Sequence, residues 1–506
     1  MILVSAHKNV LVYWLASALR LLVRMMMTRF PGYATAIRPR KTEDAIKRIG
    51  RLARPLAVLL FVLGGWAPRG HAQTLAAPPG AQVMDLTPQP GYFTEPSIAV
   101  NPRDPQQVVA AFQDNAHISY SLDAGRHWQA ASGIAPPNYR VSGDVSVTYD
   151  NHGHAILCYI AFDKLGTTNY WAHNAIRNGI FVRRSLDGGQ TWESDHIPVA
   201  EQPTQPGIPF EDKPYIVADE GDGPYAGNLY VGWTRWTIED SQILFSRSTD
   251  GGKTWSKPVE IDHHPGLPRD DNGANEGFAG VVGPDGTLYA VWADGNHILL
   301  TTSHDGGATF DAPRSVVDTA PIMFKVEDVD RSNGFPQIAI DPHGGARGGR
   351  LIVAWSDYRN GGVDVFCSAS ADHGQTWSPA VRVNSDPIHN GADHFFQWMT
   401  ADPTSGAVYL VFYDRRGDPN NRKTTVVLAR STDGARTFSN YAWTQEPFNG
   451  GNAFIGDYTG IAAFNDRVYG TWTEERPGSA TDKPWSHHSV VRVGIADFGS
   501  TAQPKP

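Results

Sequence analysis

Cysteine is scarce: the 506-residue chain has two, Cys158 and Cys367. Two cannot build a disulfide framework. They fall in sequence segments far apart, so both are expected as buried free thiols. Basic charge is also short. With 43 Lys and Arg against 52 Asp and Glu, the net charge is −9, which argues against nucleic acid or an anionic membrane surface as partner. Long helical periodicities are few, and there is no HExxH, phosphate loop or G-x-S-x-G. His263-His264 and His487-His488 have no partners at metal-binding spacing. The acidic loop RDDNGANEG from Arg269 to Gly277 makes calcium the one cation to consider, but it lacks calcium-loop spacing; it reads as a solvated loop, and no cofactor is expected. What the chain has in quantity is 51 Gly, 36 Pro and 15 Trp, the composition of an all-β protein with many turns.

Residues 1–72 read as a targeting segment. Lys47, Arg48, Arg51 and Arg54 precede the apolar run LAVLLFVLGGWA, and small residues lead to a cleavage point after Ala72. The earlier run VLVYWLASALRLLVRMMM carries Arg20 and Arg24, and translation starting at Met25, Met26 or Met27 would explain it. A mature chain from Gln73 would work outside the cytoplasm, periplasmic or secreted, and would meet a membrane only through an uncleaved N-terminal segment.

One eight-residue turn recurs six times: SLDAGRHW from Ser121, SLDGGQTW from Ser185, STDGGKTW from Ser248, SHDGGATF from Ser303, SADHGQTW from Ser370 and STDGARTF from Ser431. Each follows a strand-like run and precedes another, so each is a hairpin turn. The Asp accepts bonds from its own turn, the Gly supplies positive φ, and the Trp or Phe locks the turn to the sheet. The sixth copy departs, with Ala435 in the Gly place. Self-similarity at roughly 60-residue spacing means a propeller or an array.

Each turn ends a longer unit. Opening strands read PSIAVNP, DVSVTYD, PYIVADE, FAGVVGP, PQIAIDP, FQWMTAD and YTGIAAF; second strands include LYVGWT, LYAVWAD and LIVAWSDYR. Seven units are present, and the last has no boxed turn. AQVMDLTPQ, before the first unit, can supply the missing outer strand and close the ring. The expectation is a single all-β propeller of four-stranded antiparallel blades, seven-bladed, with a six-bladed ring as the alternative. Residues 73–90 form the leader and closing strand, 91–498 the propeller and 499–506 the tail.

The repeated turn, S-x-D-x-G-x-T-W/F, and the blade pattern resemble the sialidase superfamily of Asp-box (BNR-repeat) β-propellers over nearly all of residues 73–506. The resemblance implies a carbohydrate-active propeller. Sialidases of that family clamp the substrate carboxylate with three arginines, attack with a Tyr assisted by a Glu, and use an Asp as acid/base. They also carry Arg-Ile-Pro in the first strand, where this chain reads EPSIAV.

In such a blade the boxed turns lie on one face. The starts of the opening strands and the ends of the second strands lie on the other. Those positions hold a charged ring: Glu95, Asp144, Glu211, Asp212, Lys213, Glu276, Asp393, His394, Asp457 and Tyr458, then Arg235, Asp294, Asp357, Arg359, Asp414, Arg415, Arg416, Glu474, Glu475 and Arg476. Carboxylates interleaved with arginines suit a hydroxyl-rich ligand, and paired carboxylates are the machinery of glycoside cleavage. Residues that break the repeat are the better catalytic candidates. The resemblance therefore points to Tyr458 as nucleophile with Glu474 as its base, and to Asp144 and Asp212 as acids by position. It points to Arg359, Arg416 and Arg476 as the carboxylate clamp. Asp357, Asp414 and Glu276 complete the expected substrate contacts. The recurring W-x-D-x-R of Trp355–Arg359 reads equally as a turn cap or inter-blade ion pair. The functional expectation is a monomeric, secreted, sialidase-like glycoside hydrolase acting on a polar or acidic glycan. The alternative is a non-catalytic propeller binding a glycan or protein on the same face.

Overall fold

The computed structural model describes residues 75–499, except 88, 114–116, 132–138, 140, 164–176, 203–208, 345–348, 450–453 and 477–487. The targeting segment expected at residues 1–72 lies outside the described residues. These form an all-β structure of seven antiparallel blades, four strands each, with a fifth short strand on the sixth blade.

The third blade shows the common design. Phe210–Ala218 is innermost, followed outward by Leu229–Trp236, Ser241–Ser248 and Val259–Glu260. Its second strand, LYVGWTRW, is almost entirely buried because both faces of a blade pack on neighbouring blades. At the same place in four second strands stand Trp233, Trp292, Trp355 and Trp472, all fully buried. Each such indole contributes roughly 2–3 kcal/mol of apolar burial. The core clusters lie between blades. One joins Ile156, Cys158 and Ile160 of the second blade to Leu229, Val231 and Trp233 of the third.

The innermost strands neighbour one another around the ring, and the last, Gly460–Phe464, lies beside the first, Thr94–Val100. The N-terminal strand Gln82–Asp85 closes the seventh blade by pairing with Ser489–Asp497, Gln82 opposite Ile495 and Asp85 opposite Arg492. The expected closure by AQVMDLTPQ is therefore the one observed, and the ring has seven blades.

Register separates the two faces. Phe210 pairs with Trp236, whereas Leu229 pairs with Ser248, the first residue of a boxed turn. Opening-strand starts and second-strand ends thus share one face, and the boxed turns occupy the other. Within each turn the Ser hydroxyl donates to the Asp, as from Ser248 to Asp250 at 2.8 Å, and accepts the backbone N–H four residues on, as from Gly252 at 2.9 Å. Hydrogen bonds from Thr376 hold Asp372 down to about 2. The sixth turn keeps the same bonds with Ala435 at φ 65, so the residue that departs is strained, not the turn.

Both cysteines are buried free thiols. Burial pushes Cys367 up to about 12, which makes it inert.

Candidate active site

Opening strands enter the ring through a shared irregularity. Register slips between Thr94 and Ser97, Gly143 and Ser146, Asp212 and Tyr215, Glu276 and Ala279, and Phe395 and Trp398. At each slip one residue is left-handed: Glu95 at φ 53, Asp144 at 42, Lys213 at 47, Gly277 at 74 and Phe396 at 53. For the four that are not glycine this is a strained backbone, a state that persists where the surroundings over-determine it. A bulge re-aims its side chain, and here the re-aimed groups include two carboxyls and an ammonium.

The result is a chain of carboxyls from four consecutive blades. The backbone N–H of Asp457 donates to Glu95 Oε1 at 3.2 Å. Glu95 shares a hydrogen bond with Asp144, and Asp144 with Asp212. Asp212 accepts from the indole of Trp236 at 2.8 Å, and the backbone N–H of Lys213 donates to Asp144 at 3.3 Å. All four carboxyls are buried.

Two cations balance part of this charge. Lys213 Nζ lies 2.9 Å from both Glu276 Oε1 and Asp457 Oδ2. Arg331 donates to Asp457 at 2.8 Å and to Asp270 at 2.6 Å. Arg331 precedes a short strand, Ser332–Asn333, that pairs with Met323–Phe324 as an extra hairpin between the fourth and fifth blades.

Adjacent buried carboxyls cannot all ionise. Burial, then the charge of Asp457, pushes Glu95 up to about 7. Burial, then Glu95, does the same to Asp144, again to about 7. Burial raises Asp212 and Glu276 well above the usual carboxylate range. Asp457 goes the other way: burial opposes its charge, but Arg331 and Lys213 outweigh it and hold the group low. The Tyr458 phenol is raised by burial and then by Asp144 and Glu95.

Lys213 and Tyr458 also line a cavity of about 30 Å³ with Tyr215, Phe335 and Trp398. Its rings form an aromatic wall, Trp398 lying 5.4 Å from Tyr458 and 5.9 Å from Tyr215 between centroids.

Of the residues singled out from sequence, Asp144, Asp212, Glu276 and Tyr458 meet here. The others lie within separate blades. Glu474 accepts from the indole of Trp472 at 2.9 Å and pairs with Arg492 at 3.2 Å. The carboxylates that act on Tyr458 are Asp144, Glu95, Asp457 and Asp212. Arg359 grips Asp357, which also takes the Trp355 indole at 2.9 Å. Arg416 grips Asp414 at 2.6 Å and reaches Asn440 on the outer strand. Asp414 also lies 3.6 Å from the fully buried His394. Arg476 reaches Asp85 on the closing strand at 3.1 Å. The indole–carboxylate–arginine trio recurs as Trp233, Glu211 and Arg235, so it ties second strands to their surroundings. Glu95, Lys213 and Asp457 belong to the charged ring read from sequence, but their central place did not stand out there. Arg331 and Asp270 were missed as site residues. The signals were the acidic loop at Arg269–Gly277 and the long connection between the fourth and fifth blades. Among the described residues, no three His, Cys, Asp or Glu side chains are grouped to hold a metal ion.

The sequence model of the BNR/Asp-box repeat matches residues 246–257. A sialidase of Micromonospora viridifaciens is 25% identical over 371 residues, covering 68% of this chain and 50% of that protein. A xyloglucanase of Paenibacillus sp. is 24% identical over 329 residues, covering 61% of this chain and 28% of that protein. The matches thus span about half of the first relative's length and under a third of the second's. Among solved structures, Hadza microbial sialidase Hz136 aligns at a TM-score of 0.46 with 16% identity, over 78% of this chain and 74% of that one. Six boxed turns and seven closed blades make the described residues a β-propeller with Asp-box turns, similar in sequence to the Micromonospora viridifaciens sialidase.

Proposed function

We propose that this protein is a glycoside hydrolase, working outside the cytoplasm, that cleaves a polar glycan at the carboxyl-lined mouth of the ring. The single observation that carries this reading is the Glu95–Asp144 pair, hydrogen-bonded and both pushed up to about 7. Two carboxyls that trade one proton near neutral pH are suited to general acid and base work. In the proposed reaction Asp144 gives a proton to the leaving glycosidic oxygen as the bond from C1 breaks. The Tyr458 oxygen attacks C1, and its proton passes to Glu95. Water then attacks C1 as the bond from C1 to the Tyr458 oxygen breaks; the water gives a proton to Asp144, and Glu95 returns its proton to the departing phenolate. Glu95 thus takes the role that sequence reasoning offered to Glu474. Trp398 offers a face for a sugar ring.

The test is a panel of chromogenic glycosides, sialosides included, on wild type, Asp144→Asn and Tyr458→Phe. Turnover lost in both variants supports the reading; turnover untouched in Tyr458→Phe removes the nucleophile. The second reading, a glycan-binding propeller without catalysis, draws on the pairing of Lys213 and Arg331 with Asp457, Glu276 and Asp270, which leaves the charges satisfied internally. Binding of glycans with no turnover on any substrate would establish it.

A further inference from the structure

We propose that the rim of the sixth blade holds a second glycan subsite, separate from the mouth, that takes one unit of an uncharged sugar chain. The inference rests on the protein binding glycans, and not on cleavage at the mouth.

The extra short strand of the sixth blade builds the site. The third strand of that blade, Lys423–Ser431, is covered on its outer edge by two short pieces. Ser439–Ala442 pairs along Val427–Arg430, and Phe448–Asn449 pairs along Lys423–Thr424. Between them the chain leaves the ladder, and the N–H of Val426 donates to the Thr444 hydroxyl at 2.8 Å instead. The leader forms another wall. The N–H of Ala442 donates to Ala76 O at 2.9 Å, and Leu75 packs on the core between the fifth and sixth blades. The space between these walls is a cavity of about 380 Å³, against about 30 Å³ for the one beside Tyr458. A volume of this order is that of a small-ligand site. Asp414, the last residue of the second strand, lines it, so it lies on the same face as the mouth.

The lining decides what fits. Two carboxylates, Asp414 and Asp418, and two cations, Arg416 and Lys423, line the cavity together, so its charges balance. Three of the four are already engaged. Arg416 holds Asp414 at 2.6 Å and donates onward to Ser385 and Asn440. Asp418 accepts the backbone N–H groups of Asn420, Arg422 and Lys423 at 3.1, 3.0 and 2.8 Å. Burial opposes its charge, but those N–H groups outweigh it and hold the carboxyl low. An incoming anion would meet two carboxylates, and an incoming cation an arginine and a lysine. A hydroxyl both donates and accepts. It can give to a carboxylate oxygen and take from the Lys423 ammonium or the Gln445 amide. Leu75, Ala442 and Pro447 add apolar surface for the C–H face of a sugar ring. An apolar wall with a few convergent polar groups is the make-up of a small-molecule cleft.

The test is calorimetric titration with uncharged hexasaccharides of glucose, xylose, mannose and galactose, and with the hexasaccharide of galacturonic acid. At least one uncharged chain is expected to bind, with affinity unchanged between about 0.05 and 0.5 M salt, because no ion pair forms. Gln445 is exposed at the cavity, and Gln445→Trp, which fills it, should weaken that binding about 10-fold or more. Should this variant fail to fold, Lys423→Trp, at another exposed lining position, serves the same purpose. Binding unaltered by the substitution, affinity falling steeply with salt, tighter binding of the galacturonate chain, or no binding of any chain would overturn the inference. Turnover of chromogenic glycosides alongside unaltered binding in Gln445→Trp would overturn it and leave the hydrolase standing. Binding lost in that variant, with no turnover by wild type, would support it and remove the hydrolase.

Discussion

Glu95 and Asp144 share a hydrogen bond across the junction of the first and second blades, each on a left-handed backbone at φ 53 and 42, respectively. Two acids are held in a strained conformation so that they meet. The first consequence concerns stability. Folded, both keep their protons up to about pH 7; unfolded, they release them near 4.5 and 3.8. The folded state therefore binds more protons between about pH 4 and 7, and stability falls as pH rises through that window. Glu95→Gln and Asp144→Asn are expected to flatten this slope and to exceed wild type at pH 8 by on the order of 2 kcal/mol each. Urea melts at pH 4 and pH 8 check it; parallel curves for wild type and variants would refute it.

Activity should follow the same pair. A carboxyl dyad needs one proton on and one off, so kcat/KM is expected to peak near pH 7 and fall on both sides. Asp144→Asn should lower kcat by about 100-fold or more and abolish the alkaline limb. A pH–rate profile of wild type and variant on one chromogenic substrate decides this.

Lys213 sits 2.9 Å from both Glu276 and Asp457, with a side chain 7% exposed. Its removal strands two buried carboxylates, so Lys213→Met should destabilise by about 3–5 kcal/mol. Adding Glu276→Gln should restore part of that loss. Thermal melts of single and double variants measure the coupling; strict additivity would show that the pair does not interact.

The boxed turns should matter for folding and not for the site. Asp250 accepts from Ser248 and from the backbone and hydroxyl of Thr254. Asp250→Ala is expected to cost about 1–2 kcal/mol while leaving kcat/KM unchanged, because it lies on the opposite face. A change in kcat/KM without a change in melting would contradict the placement.

Closure should be needed for cooperativity. Leu86 is buried, its N–H donates to Val491 O at 2.8 Å, and Val83 and Met84 pack on the core. A chain beginning at Gly91 loses these contacts and exposes the edge of Ser489–Asp497. It should be less stable by roughly 3 kcal/mol or more and prone to aggregate. Comparative melts and light scattering test this; an unchanged melting point would refute it.

The architecture was open to reading in the chain because its cause is local. Each boxed turn needs only its own Ser, Asp and Gly, and each second strand announces itself as a short, nearly continuous apolar run, with a buried Trp in four of them. Even the closing strand followed from counting one more opening strand than turns. Face assignment then came from blade connectivity, and it placed Asp144, Asp212, Glu276 and Tyr458 correctly on one side.

What local pattern could not decide was which charged residues on that side reach the axis. Arg359 and Arg416 follow their second strands with the same spacing as any site residue, yet they turn to carboxylates of their own blades. Arg331 comes from an inserted hairpin and meets Asp457 across 126 positions, and Glu95 meets Asp457 across 362. The sequence by itself determined turns and strands and favoured seven blades closed by the N-terminal strand, since those follow from short-range hydrogen bonding and from periodic burial; the structure decided between seven blades and six. Only the tertiary structure decided the site, because a ring brings its first and last blades together and bulges swing chosen side chains inward. Which acids keep their protons then depends on distances that no spacing along the chain encodes.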